Sequence, residues 1–172
     1  QPRIATWNLA RFAETLLPLF SDDTETALAQ ANESLGTFSN HFSRALVAGQ
    51  RRKLGIFTER DGDAALAEDL LNAMAESKAD FTLTFRHLCD AASNRDRDAD
   101  VRRLFDNPAT YKAWARRFRQ RLSDEPQDGP TRRAAMEAVN PAFIPRNHRV
   151  EAALSAATEH GDFGPFEELV TI

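Results

Sequence analysis

The chain has 172 residues, 42% of them hydrophobic, and a formal net charge of −4. That is long enough to bury a core without disulfide or metal staples, and too apolar for a disordered tail. No apolar run approaches the roughly 18–20 residues that span a bilayer, so a membrane segment is excluded.

Cys89 is the sole cysteine. An intrachain disulfide is therefore excluded, and the expected state is a reduced thiol in the cytoplasm. The first residues, QPRIATWNLARF, lack the basic, apolar, then small order of a secretory signal. A start at Gln rather than Met is expected of a processed or excised piece. The net charge hides an asymmetry. Arginines outnumber acids from Val101 to Arg149, whereas Glu151 to the end carries acids and no Lys or Arg. The first reading is a solvated helix face answered by acids elsewhere in the fold, the second a basic docking face.

Taken in chain order, most of the sequence reads at helical period. WNLARFAETLLPLF puts Trp7, Leu9, Phe12, Leu16 and Leu19 on a broad apolar surface, and Pro18 should kink or end that helix. Asp22 with Glu25 forms a capping box for the next run. Leu28, Ala31, Leu35, Phe38, Phe42 and Leu46 keep a 3–4 spacing, which predicts one amphipathic helix of roughly seven turns. Arg51 and Arg52 near its end suit the helix dipole. KLGIFT, Lys53–Thr58, is the sole weak strand candidate. Asp61 starts a helix with Leu66, Leu70 and Ala73 inward. Asp80 caps another, striped by Phe81, Phe85 and Leu88.

Asn107-Pro108 has the cap-then-first-position form. It opens a helix with Tyr111, Trp114, Phe118 and Leu122 on one face. SDEPQDGP is a loop, and Thr131 to Val139 a short helix. A proline-framed corner follows, then a helix from about Arg146 to His160, a GDFGP turn and a last acidic helical turn. The expectation is a single all-α domain over residues 1–172, an irregular multi-helix bundle without internal repeats.

Familiar catalytic and binding signatures are missing. No phosphate-cradling G-x-x-x-x-G-K-[ST] run, no G-x-G-x-x-G, no H-E-x-x-H, no C-x-x-C and no G-x-S-x-G elbow occurs. NRDRDADVRRLF puts Asn94, Asp96, Asp98 and Asp100 at alternate positions of a calcium-type loop. However, Ala99 stands where the sharp turn needs glycine, Phe105 where a bidentate Glu belongs, and arginines interleave the acids. The expectation there is a solvated charged loop before a helix.

Three constellations carry more content. Trp7, Asn8 and Arg11 fall on successive turns of one helix, where Trp and Arg can anchor it to a neighbouring lobe; an aromatic core residue with polar flanks is the plainer reading. Arg116 to Arg121 form an arginine-rich helix face. Its aromatics keep core spacing rather than forming exposed stacking platforms, which argues against nucleic acid. The third is NPAFIPRNHRVEAAL, from Asn140 to Leu154. Pro141 and Pro145 fix the backbone there, and Pro145 is expected at the first position of the next helix. Arg146, Asn147 and His148 then occupy its first turn, where the positive backbone potential disfavours cations. They should have partners: structural docking is the first reading and anion contact the second.

QPRIATWNLARFAETLLPLF, LLNAMAESKADFTLTFRHL, AAMEAVNPAFIPRNHRVEAAL and GDFGPFEELV, in this order, resemble the C-terminal part of the selenoprotein O family, which includes the bacterial YdiU proteins. The resemblance covers nearly the whole chain. It implies a protein-kinase-like parent that transfers AMP from ATP, with magnesium, onto hydroxyls of protein substrates. It also implies that this chain is part of the kinase-like C-lobe plus a C-terminal helical region. The family's nucleotide and metal residues lie in segments before the Q-P-x-I pattern at which the chain begins, so none is carried over and no catalytic, cofactor or metal residue is assigned. Bacterial members of the family often pair a cysteine near the active site with one close to the C-terminus; Cys89, mid-chain in FRHLCDAAS, does not match the latter.

The resulting expectation is a helical part that supports the catalytic lobe and is not catalytic alone. Its partners are the N-terminal lobe of the same protein and, for the parent, protein substrates. Exposed apolar surface could drive self-association in isolation. The alternative is an independent module that binds an acidic partner through the arginine-rich helix.

Overall fold

The computed structural model describes residues 2–171. Among them the fold is all-α, with no strand. The chain divides into two compact units, one up to Gln50 and the other from Arg51 onward.

The first unit is built on α1 (Pro2–Phe20), α2 (Thr24–Gly36) and the start of α3 (Phe38–Lys53), with α1 packed against α2. Pro18 lies inside α1, which ends two residues later. The cap of α2 is Asp23 rather than Asp22; its carboxylate accepts from Thr26 N at 2.8 Å and from the Thr26 hydroxyl at 2.6 Å. The long helix expected from Leu28 to Leu46 is two. At Gly36-Thr37 the backbone tightens, Thr37 N bonding to Ser34 O at 3.2 Å and its hydroxyl to the same oxygen at 2.8 Å. Glycine and a hydroxyl that bonds its own backbone both weaken a helix interior. This unit buries little: Ala27 and Ala31 are its buried residues.

The second unit holds the core. Its helices are α4 (Asp63–Glu76), α5 (Phe81–Ser93), α6 (Asp98–Arg102), α7 (Pro108–Ser123), α8 (Gly129–Glu137), α9 (Asn147–His160) and α10 (Gly164–Thr171), with a 3-10 turn at Arg95–Arg97. α4 packs on α7, α5 on α8, and α9 on α10. The expected stripes close the centre with one exception: Leu66, Leu70 and Ala73 meet Phe85, Leu88, Tyr111, Trp114, Phe118 and Leu122, whereas Phe81, at the first position of α5, is exposed. Trp114 stacks on Phe118 with ring centroids 4.7 Å apart and donates its indole N–H to Leu66 O at 2.8 Å. Asp80, Asn107 and Asp128 cap α5, α7 and α8 through their side chains.

Two local expectations shift. α4 begins at Asp63 after Gly62, and the Asp63 carboxylate accepts from Arg60 N at 2.9 Å. KLGIFT is not a strand: Lys53 ends α3, residues 54–56 form a buried turn, and Phe57 and Thr58 are exposed. Leu54 and Ile56 enter the core, and Gly55 turns at φ +67°, a conformation that favours glycine. The next donors go to a side chain: Phe57 N and Thr58 N reach Glu125 Oε2 at 2.9 and 3.1 Å. Glu125 also takes Arg121 Nη1 at 2.6 Å, and Arg121 Nε meets Asp63 Oδ1 at 2.7 Å.

Candidate functional site

Asn140, the first residue of the proline-framed corner, is a buried structural node. Its amide donates to Lys53 O at 2.9 Å and accepts from Lys53 Nζ at 3.1 Å. Lys53 Nζ also donates to Val139 O, and Arg86 Nη1 donates to Asn140 O at 3.2 Å. The ammonium stands 5.2 Å from the Phe85 ring centre. Burial holds the Lys53 pKa below its ordinary value, with Cys89 opposing. Burial likewise pushes the Cys89 thiol up, against the hydrogen bond from Asn140 and the charge of Arg86. The thiol is therefore a poor nucleophile. The node escapes the sequence reading because Lys53 reads there as the start of the weak strand candidate KLGIFT; Asn before Pro, directly after a helix, is the available signal.

Beyond this node the corner is open. Every residue from Pro141 to Val150 is exposed. Phe143 is 71% exposed, and Ile144 is exposed beside it. Pro145 lies before the cap of α9 rather than at its first position. Arg146 is the cap residue, with extended backbone and no capping side-chain bond, so Asn147 and His148 are the first helical positions. Pro145 fixes Arg146 no further, because proline restricts the residue before it, not the one after. The side chains of Arg146, Asn147 and His148 meet solvent and find no partner among the described residues. No acid stands in the first turn of α9 to offset them.

In the first unit, Trp7, Asn8 and Arg11 share an exposed face of α1, with Trp7 62% exposed. Arg11 lies 6.0 Å from the Trp7 ring centre and pairs with Glu14. Ile4, Phe12 and Leu19 are exposed on the same helix, and none of its described residues is buried. Trp7 is thus not the core residue of the plainer reading. Each of the two residue groups lies in its own unit.

The family model for Protein adenylyltransferase SelO matches residues 1–172. The chain belongs to the SelO family. Among curated relatives, it is 59% identical over 172 residues to a protein nucleotidyltransferase YdiU of Rhodopseudomonas palustris (strain BisB18), covering 100% of this chain and 35% of that protein. A YdiU of Bradyrhizobium sp. (strain ORS 278) is 58% identical over 169 residues, covering 98% of this chain and 34% of the relative. The chain spans about a third of the length of the relatives it matches.

Family membership raises the question of ATP and magnesium. Among the described residues no three His, Cys, Asp or Glu side chains gather as a metal site would need. In the calcium-like loop two of the three acids, Asp98 and Asp100, are already engaged. Asp98 pairs with Arg119 and accepts from the Tyr111 hydroxyl, and Asp100 pairs with Arg97 and Arg103. No catalytic step is assigned to the residues of this chain.

Proposed function

We propose that this chain is the C-terminal helical part of a protein adenylyltransferase that moves AMP from ATP, with magnesium, onto protein hydroxyls. Its task is to support the catalytic part, with α1 belonging to a kinase-like C-lobe. One observation carries the reading: α1 presents Ile4, Trp7, Phe12 and Leu19 to solvent and buries none of its described residues. A chain with a well-packed core elsewhere leaves so large an apolar face bare when its cover is another part of the same protein. The relatives' greater length supplies that part. On this reading Trp7, Asn8 and Arg11, and the corner residues Arg146, Asn147 and His148, are contacts to the remainder of the protein. Sequestration of the lone thiol of Cys89 agrees with a reducing, cytoplasmic setting. Among the described residues no helix is long and apolar enough to cross a membrane.

The independent-module alternative draws less support. On α7, Arg117 pairs with Asp69, Arg119 with Asp98, and Arg121 with Asp63 and Glu125. An acidic partner would meet a helix with three of its five cations answered within the unit, only Lys112 and Arg116 being left. The test is to incubate the chain alone with labelled ATP, magnesium and a protein acceptor. No label transfer is expected; robust metal-dependent transfer sinks the proposal.

A further inference from the structure

Between Arg51 and Arg133 ten of the fourteen arginines have an acid or carbonyl partner. Arg51, Arg60, Arg86, Arg97 and Arg103 meet carboxylates. So do Arg117, Arg119, Arg121 and Arg133. The buried Arg132 donates to the carbonyls of Ala92, Leu122 and Gln127. Four exposed arginines are left: Arg52, Arg95, Arg102 and Arg116. The last three line one cleft of about 410 Å³, and Lys112, also without an acid partner, lines it with them.

The cleft has walls from three elements. Arg95 comes from the 3-10 turn, Arg102 from α6, and Lys112 and Arg116 from adjacent turns of α7. Its floor ties them together. Asp98 accepts from the Tyr111 hydroxyl at 2.7 Å and pairs with Arg119 at 2.6 Å, joining α6 to α7. Burial, the hydrogen bond to Asp98 and its negative charge all raise the Tyr111 pKa, so the phenol stays a neutral donor. Asp98 is the lining acid, and Arg119 neutralises it. The remaining four cations face the cleft uncompensated, in a chain whose overall charge is negative.

We propose that this cleft is a binding site for a small phosphoryl polyanion, recognised through its phosphoryl oxygens. Guanidinium forks and an ammonium are the groups that hold such oxygens. A single carboxylate would leave most of the positive charge unanswered. The volume lies within the roughly 300–1,000 Å³ of small-ligand sites. No aromatic face is offered to a base: Tyr111, the lining aromatic, is 1% exposed and lies in the floor. Pyrophosphate and the phosphate tail of a nucleotide share the required chemistry, and the nucleoside adds nothing. This site is independent of the supporting role proposed above, because its residues all lie in the well-packed second unit.

The test is calorimetric titration of the full-length protein that carries this chain, using pyrophosphate, ADP and adenosine. Wild type should show a pyrophosphate site that R102A/R116A weakens at least tenfold. K112E, one turn from Arg116 on the α7 wall, should weaken it as much, while R52A leaves it unchanged. ADP should show a component lost in the same variants, and adenosine should show none. Affinity should fall as salt rises. All four positions are exposed, so circular dichroism should report the same fold in each variant. Absence of any pyrophosphate component that R102A/R116A and K112E weaken overturns the proposal. An ADP component sensitive to these variants without any pyrophosphate binding overturns it too, since recognition would then lie in the nucleoside.

Discussion

Glu125 offers the sharpest test of how the second unit is held. It is a buried acid at the end of α7 that fastens a strandless loop across the fold. Its carboxylate takes the N–H groups of Phe57 and Thr58, the Thr58 hydroxyl and the Arg121 guanidinium. Truncation by Glu125→Ala strips both backbone donors of their acceptor and leaves Arg121 with Asp63. Breaking a buried pair costs about 3–5 kcal/mol. Because Arg121 keeps one acid, the lower end, about 3 kcal/mol, is expected. With a slope of about 2 kcal/mol/M this moves the urea midpoint down by about 1.5 M. The assay is urea unfolding followed by Trp114 fluorescence in a Trp7→Phe background, so that the second unit alone is read. A loss below about 1 kcal/mol would refute the clamp.

The same residue makes a pH prediction. Burial raises the Glu125 pKa, but the bonds from Thr58, Phe57 and Arg121 outweigh it and hold the carboxyl below its ordinary value. A depressed carboxylate stabilises the fold above the unfolded-state pKa of about 4.3. That contribution is lost as pH falls through the folded-state value. The stability gap between wild type and Glu125→Gln should therefore hold from pH 6 to about pH 5 and narrow from there to pH 3. A gap constant over that range contradicts the assignment.

Other substitutions test the corner, the loop and the bare face. Asn140→Ala removes the bonds to Lys53 and should cost about 2 kcal/mol in urea unfolding; a neutral result would mean the prolines alone hold the corner. Gly55→Ala would force a side chain into φ +67° with its Cβ 2.6 Å from Met136 Sδ. A cost of about 2–4 kcal/mol is expected by thermal melting. Trp7→Ala with Phe12→Ala should change the isolated chain by less than about 0.5 kcal/mol, as exposed positions do. In the full-length protein the same pair should lower the melting temperature by several degrees if α1 is covered there. Equal effects in both contexts would contradict the docking role.

The sequence made some elements plain and hid others for physical reasons. The α7 stripe of Tyr111, Trp114, Phe118 and Leu122 is buried as its period requires, because its cover lies in the same unit. In the equally regular stripe of Trp7, Leu9, Phe12, Leu16 and Leu19, all but the half-buried Leu16 are exposed. Periodicity says that a face wants cover; it does not say which segment provides it. The Gly36-Thr37 break was hidden because apolar spacing runs through it undisturbed. KLGIFT looked strand-like because Leu54 and Ile56 are truly buried; that its next donors go to Glu125, 67 or 68 residues on, is a long-range fact no local pattern contains. At the candidate corner, the two prolines and the basic helix start were legible. The Lys53–Asn140–Arg86 node was not, because it joins three separated segments. The cleft was hidden for a related reason: arginine spacing on α7 could not tell which charges Asp63, Asp69 and Asp98 would neutralise.

The central claim is that this chain completes an adenylyltransferase without being one by itself. The direct measurement is to produce the chain and the remaining two thirds of the full-length protein as separate polypeptides, alone and mixed. Each sample is assayed for complex formation and for metal-dependent transfer of labelled AMP. The account predicts a 1:1 complex, transfer by the mixture, and none by the chain alone; introducing Trp7→Asp and Phe12→Asp into the chain should abolish the complex. Transfer by the isolated chain, or full transfer by the remainder with no complex formed, would contradict it.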